Sequence, residues 1–154
     1  MSDMRSLTLI SALTLGCATL VALPAIAQNL DAIEKRQELM KENGKAAKAG
    51  GAMAKGETEF SAEKANEVFT SMHEIAMDFG NHFPEDSKTG GKTEAAPAIW
   101  EKPDAFQAAL VKYQNDTQAA IDAAPQDLAS FRQQFGMVAQ NCKSCHEEFR
   151  IDKD

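Results

Sequence analysis

The chain has 154 residues, 44% of them hydrophobic, and carries 16 Lys and Arg against 23 Asp and Glu, a formal charge of −7. An acidic balance of this size disfavours binding to nucleic acid or to an anionic membrane surface. Ala, Glu, Lys and Gln dominate, and no segment alternates apolar with polar residues or concentrates β-branched ones, so the expected fold class is all-α.

The first stretch, "MSDMRSLTLISALTLGCATLVALPAIAQ", reads as an export signal rather than as structure. One basic residue, Arg5, precedes an apolar run from Leu7 to Leu23, and Pro24 breaks the run before the small-x-small site Ala25-Ile26-Ala27. The run approaches the roughly 20 residues of a bilayer span, so a retained anchor is the competing reading; a lipoprotein signal at Cys17 is another, with poorly fitting flanks. Cleavage after Ala27 leaves residues 28–154 as a single domain with net charge still −7 and no stable membrane insertion. Cys17 leaves with the signal, so the mature chain holds only Cys142 and Cys145. One pair three apart is no disulfide scaffold.

Four stretches carry apolar residues at spacings of three and four. The first, about Leu30 to Ala54, places Leu30, Ile33, Gln37 and Met40 on one stripe, and Gly44, Gly50 and Gly51 weaken its second half. The second begins near Ser61, an N-cap, and carries Ala65, Val68, Met72, Ile75, Ala76 and Phe79. The segment "GNHFPEDSKTGGKTEAAPAIWEKP" follows as one long loop. Pro103 suits the first turn of a third helix with Phe106, Leu110, Tyr113, Thr117 and Ile121 on one face. Pro125 is expected to start the fourth, whose stripe of Leu128, Phe131, Phe135, Val138, Cys142, Cys145 and Phe149 turns both cysteines inward. Short connections between most of these helices favour an up-down-up-down four-helix bundle.

Within "NCKSCHEEFR", Cys142, Cys145 and His146 share one side of the last helix. Two thiols one turn apart can add to the two vinyl groups of a haem, and the adjacent imidazole can ligate its iron, so the motif reads as attachment of one haem c near the end of that helix. A thioredoxin-like pair would sit near a βαβ unit, and a structural zinc site would need further paired ligands where only His73 and His82 remain. Lys143 and Ser144 point outward and are expected to edge a rim where a partner docks. Only "EEFRIDKD" follows the histidine, so any protein ligand on the opposite iron face comes from upstream. In an up-down-up-down bundle the early turns of the first helix share the end of the molecule that holds His146. That favours Met40, with Met72, His73 and Met77 as rivals.

The late motif closing a four-helix bundle, together with "RQELMK", "MAKGE", "APAIW" and "CKSCHEEFR" in that order, resembles the class II cytochromes c, the cytochromes c prime and their low-spin, methionine-ligated relatives. The resemblance spans essentially the whole mature chain. It implies an iron, non-enzymatic cytochrome exported to the bacterial periplasm, with redox partner proteins and a homodimer through the first two helices as the family's frequent assembly. Four positions beyond the arginine of Arg36-Gln37 it selects Met40 as second axial ligand. "HFPEDS", where five-coordinate members tend to carry Gly-Pro-Gly, points to the low-spin group, hence a single-electron carrier with a His146/Met40 iron. The alternative is a five-coordinate cytochrome c prime in which Met40 walls an open site for nitric oxide or carbon monoxide. Arg36, one turn before Met40, is placed to pair with a haem propionate or else belongs to a solvated face.

Mass spectrometry of the exported protein should give a chain beginning at Gln28. A mass that retains residues 1–27, or a lipid on Cys17, overturns the cleaved-signal reading.

Overall fold

A computed structural model of the chain describes residues 29–151. The leader expected over residues 1–27 and its Cys17 lie outside the described residues.

Four long helices form the bundle. α1 spans Leu30–Lys55 and α2 spans Ala62–Phe79; a single turn, α3, covers Ala98–Glu101; α4 spans Pro103–Ala123 and α5 Leu128–Phe149. Each end has a local cause. Asn29 Oδ1 accepts from Ala32 N at 3.0 Å, Ser61 Oγ accepts from Lys64 N, and Asp127 accepts from Ser130 N, each satisfying a donor that the first turn leaves open. Gly56, at φ 78°, closes α1 in the left-handed conformation that glycine adopts without steric cost. Pro103 occupies the first turn of α4, as its missing N–H allows. Pro125 does not start α5: it is buried in the preceding turn, and Asp127 is the cap.

α1 packs on α2 and α5, and α4 packs on α2 and α5, giving the up-down-up-down four-helix bundle. Its interior divides into two clusters. Met53, Ala65, Phe69, Met72, Phe131 and Val138 fill one end. At the other, Ile99, Phe106, Leu110 and Phe149 meet Phe79 at the end of α2 and Phe83 and Trp100 from the long loop. Edge-to-face rings, with Phe83 4.9 Å from Phe106 and Phe106 5.2 Å from Phe149, bind that loop to the ends of α4 and α5.

The inward stripe of α1 differs from expectation. Ile33, Arg36, Leu39, Asn43, Ala46, Gly50 and Met53 are buried, while Leu30 and Gln37 are exposed. Two polar residues, Arg36 and Asn43, sit on the true stripe, and their polarity shifts an apolar-only reading by one position. The glycines do not interrupt α1. A Cβ on Gly50 would lie 2.3 Å from Phe135 Cε2, so this glycine lets α1 and α5 close at the far end of their seam.

The long loop is not featureless. It contains 3₁₀ turns at Gly80–His82 and Glu85–Ser87 and then α3. Arg36, only 4% exposed, organises it. Its Nη1 donates to His82 O at 3.1 Å and Ser87 Oγ at 2.8 Å, and its Nη2 to Ser87 O at 2.8 Å and Thr93 Oγ1 at 2.7 Å. The guanidinium lies 5.0 Å from the Phe83 ring centre. Gln37 adds a bond to Lys92 O, and Trp100 Nε1 donates to Phe83 O. The loop's far side meets the end of α5: Ala96 N donates to Phe149 O, Ile151 N to Glu94 O, and Arg150 pairs with Glu94 at 2.9 Å.

Three consequences are measurable by thermal or denaturant unfolding. Gly51→Ala, with nothing near its added methyl, should stabilise the bundle by about 0.5–1 kcal/mol through helix propensity. Gly50→Ala should instead destabilise it by about 1–3 kcal/mol, because overpacking against Phe135 outweighs that gain. Arg36→Met should cost about 3 kcal/mol or more, since it orphans several loop oxygens at once. Hydrogen exchange should then show the loss of protection concentrated in residues 82–97, and Arg36→Lys should rescue little, as an ammonium cannot span four acceptors in a planar fork.

Candidate functional site

Between the two clusters a cavity of about 680 Å³ opens. That falls within the range of about 300–1,000 Å³ for sites that enclose a small molecule. α5 supplies one wall with Cys142, Cys145, His146 and Phe149; α1 supplies the facing wall with Arg36, Met40, Asn43, Gly44 and Ala47; α4 contributes Phe106, Leu110 and Tyr113, and the long loop contributes Phe83, Lys92, Ala95 and Ile99. The walls are mainly apolar, and a Cβ on Gly44 would meet no atom within 4 Å, so the α1 wall stands clear beside Met40.

The helical spacing therefore does bring Cys142, Cys145 and His146 to one cavity. The cysteines are half-buried and free; His146 is exposed at the rim. Burial raises the Cys142 thiol above its ordinary pKa, and burial, reinforced by Cys142 and Glu148, pushes Cys145 up to about 11. Both are neutral thiols at physiological pH. A redox-active pair needs a stabilised thiolate, so the electrostatics run against a thioredoxin-like role. Lys143 and Ser144 are exposed, as expected from their place between the cysteines.

Met40 lines the cavity opposite α5, and its rivals do not. Met72 is fully buried beside Phe69, Phe131 and Val138 in the other cluster, against the expectation that it reaches the haem end. Met77 is 56% exposed. His73 Nδ1 lies 3.0 Å from Thr117 Oγ1, which itself donates to Tyr113 O, and His82 Nε2 lies 3.0 Å from Asp78 Oδ1. His146 is thus the histidine, and Met40 the methionine, that the fold presents to the cavity.

Arg36 lines the same cavity, but it is not on a solvated face. It is a buried guanidinium, its pKa lowered by desolvation, and its four bonds go to neutral oxygens. A buried positive charge compensated only by dipoles favours an anionic group at the adjacent rim. Neutral thiols one turn apart, an imidazole beside them, apolar walls and a desolvated cation together fit a haem carrying carboxylate side chains. Tyr113 lies on the inward face expected for its helix, whereas the polar residues Asn43 and Asn141 are missed by an apolar-stripe reading. Their signal is present in retrospect, because Asn43 lies three residues past Met40 and seven past Arg36, on the buried face.

Among the described residues no helix is long and apolar enough to cross a membrane. Residues 31–150 match the family model described as cytochrome c'. The chain is 37% identical over 129 residues to cytochrome c' of Rhodopseudomonas palustris, covering 84% of this chain and 87% of that one. It is 33% identical over 150 residues to cytochrome c-556 of Agrobacterium fabrum, covering 97% and 99% of the two chains. A solved structure of cytochrome c' from Rhodopseudomonas palustris superposes with a TM-score of 0.77 at 36% identity, over 80% of this chain and 98% of that one.

These matches correct the expectation of a low-spin, His146/Met40-ligated carrier. They support the five-coordinate cytochrome c' reading instead. The loop cue misled for a physical reason: "HFPEDS" runs from the last residue of the first 3₁₀ turn through the second and supplies His82 and Ser87 to the Arg36 guanidinium, so its sequence reports how the loop is anchored and not how iron is ligated. Proteins of this family are haem-binding carriers of electrons and gases rather than enzymes. With its four-helix bundle, its terminal Cys-x-x-Cys-His and a match over residues 31–150, the chain belongs to the cytochrome c' family.

Proposed function

We propose that this chain is a periplasmic cytochrome c' that holds one haem c and presents an open distal iron position to small neutral gases, nitric oxide or carbon monoxide. The observation that carries the reading is the cavity itself, with the attachment motif on the α5 wall and a cleared α1 wall facing it. Cys142 and Cys145 would hold the haem through two thioethers, each S–H adding across a vinyl double bond, and His146 would ligate the iron. Arg36 places its charge beside a propionate, and Met40 walls the distal side. Export fits the same picture, since a cleaved leader delivers the chain to the compartment that the family occupies.

When bound, the haem supplies the redox-active iron and the gas-binding position; the chain determines what reaches it. Apolar side chains from α1, α4 and the loop exclude water and anions from the interior. The aromatic cluster and the Arg36-anchored loop keep that enclosure closed along one side. One-electron exchange with redox partner proteins would take place at the rim by His146, Lys143 and Ser144, where α5 is exposed.

Absorption spectroscopy of the purified holoprotein tests this. The colour should remain with the polypeptide on acid-acetone extraction, the ferric form should be high-spin, and the ferrous form should bind carbon monoxide. Met40→Ala should leave the spin state unchanged and speed carbon monoxide association, because a wall is removed and no iron bond is lost. Ferrous protein that resists carbon monoxide until Met40 is removed overturns the proposal.

A further inference from the structure

The cavity carries a polar pair that its apolar walls do not explain. Tyr113 Oη donates to Asn43 Oδ1 at 2.7 Å, joining α4 to α1, and both side chains line the cavity. Burial, with a contribution from the nearby Cys142, raises the Tyr113 pKa well above its ordinary value, so the phenol keeps its proton and remains a donor. That bond orients the amide. An asparagine side chain accepts at Oδ1 and donates twice from Nδ2, so holding Oδ1 against Tyr113 turns Nδ2 away from it.

Asn43 Nδ2 makes no bond to a protein acceptor, yet no buried side-chain nitrogen or oxygen among the described residues lacks a partner. The nitrogen is therefore open to the space that the residue lines. Of the other polar residues that α1 gives the cavity, Arg36 and Gln37 donate to the loop, and Lys41 is an exposed charge. Asn43 is left as the neutral donor that the fold orients and does not use. It lies three residues beyond Met40, about one helical turn along the same face.

We propose that Asn43 is the specificity-determining residue of the distal site, with Tyr113 as its positioning residue. The Nδ2–H donates to the outer atom of a diatomic ligand, favouring ligands that gather negative charge on that atom when bound over those that gather little. This rests on the open-site reading above and deepens it. The donor is neutral and already desolvated, so it adds selectivity without placing a charge in the cavity.

Carbon monoxide is the probe, on the full haem-loaded protein, read by the infrared C–O stretch and the dissociation rate. A hydrogen bond to the outer oxygen draws electron density into the ligand and lowers the stretch. Asn43→Leu should therefore raise the frequency and speed carbon monoxide release several-fold, up to about tenfold, the factor one neutral hydrogen bond supports. Tyr113→Phe keeps the donor but frees the amide to rotate, and should broaden or split the band. If Asn43→Leu fails to load haem, the Tyr113→Phe spectrum decides alone: a single unshifted band overturns the proposal. So does an unshifted band in Asn43→Leu, even with a lowered melting temperature, since that would make the pair only a link between helices. Wild-type protein that binds no carbon monoxide ends the open-site reading as well, and that outcome appears before any residue is replaced.

Discussion

A guanidinium buried at the rim of the bundle is the constraint on which the rest depends. Taking Arg36 out of water is costly unless every donor finds an acceptor, and its Nη donors are met by oxygens from three separate places in one loop, His82, Ser87 and Thr93. A connection of this length would otherwise be expensive to order. Wrapped round a cation, and stacked on it through Phe83, it becomes a wall. The loop then delivers Phe83, Trp100 and Ile99 to the aromatic cluster and Ala95 and Lys92 to the cavity edge. Its other side is tied to the last turn of α5 through Ala96, Glu94 and Arg150, so the segment that bears His146 is held by the loop that Arg36 anchors.

The seam between α1 and α5 explains why there is a cavity at all. At the level of Gly50 the ring of Phe135 fills the seam so tightly that the glycine has no room for a Cβ. Nearer the Met40 end the same helices are lined by Gly44, Ala47, Cys142 and Cys145, whose small side chains leave the space unfilled. Close-packed interiors rarely tolerate such a void without an occupant. The bundle thus closes its core at one end and reserves a slot at the other, and the motif that would hold the occupant lies in that slot.

The elements of this fold were legible in the sequence wherever apolar spacing and end signals agree. Ser61, Pro103 and the α5 stripe are examples, and the site triad follows from helical spacing alone. What escaped were polar residues with buried roles. Arg36 and Asn43 look like surface residues by type, yet they occupy the inward face of α1, because their partners come from residues 46 to 70 positions away. Nothing local announces that. Met72 was misplaced for a related reason: its periodicity places it inward, but only packing shows that inward means the Phe131 cluster and not the cavity. The axial expectation failed further still, since the loop cue encodes the fit around Arg36.

The distribution of charge argues for which molecules the slot admits. Among the described residues, carboxylates on the outer faces of the helices pair with lysines one turn away, as Glu38, Glu42, Asp116 and Glu147 do, and Glu94 at the rim is matched by Arg150. Inside, the titratable groups are two neutral thiols and a phenol whose burial keeps its proton. An anion entering this interior would lose its hydration and meet one buried cation, Arg36, already engaged by four oxygens, since the other cations of the lining, Lys41, Lys92 and Arg150, are exposed at its edge. Water fares little better, since a buried water needs two to four polar partners and the slot offers few besides Asn43, Tyr113 and Asn141. A small neutral gas loses almost nothing on entry. Exclusion of its competitors, more than attraction by the walls, gives such a ligand its advantage, and the one oriented amide can then distinguish among the gases that enter.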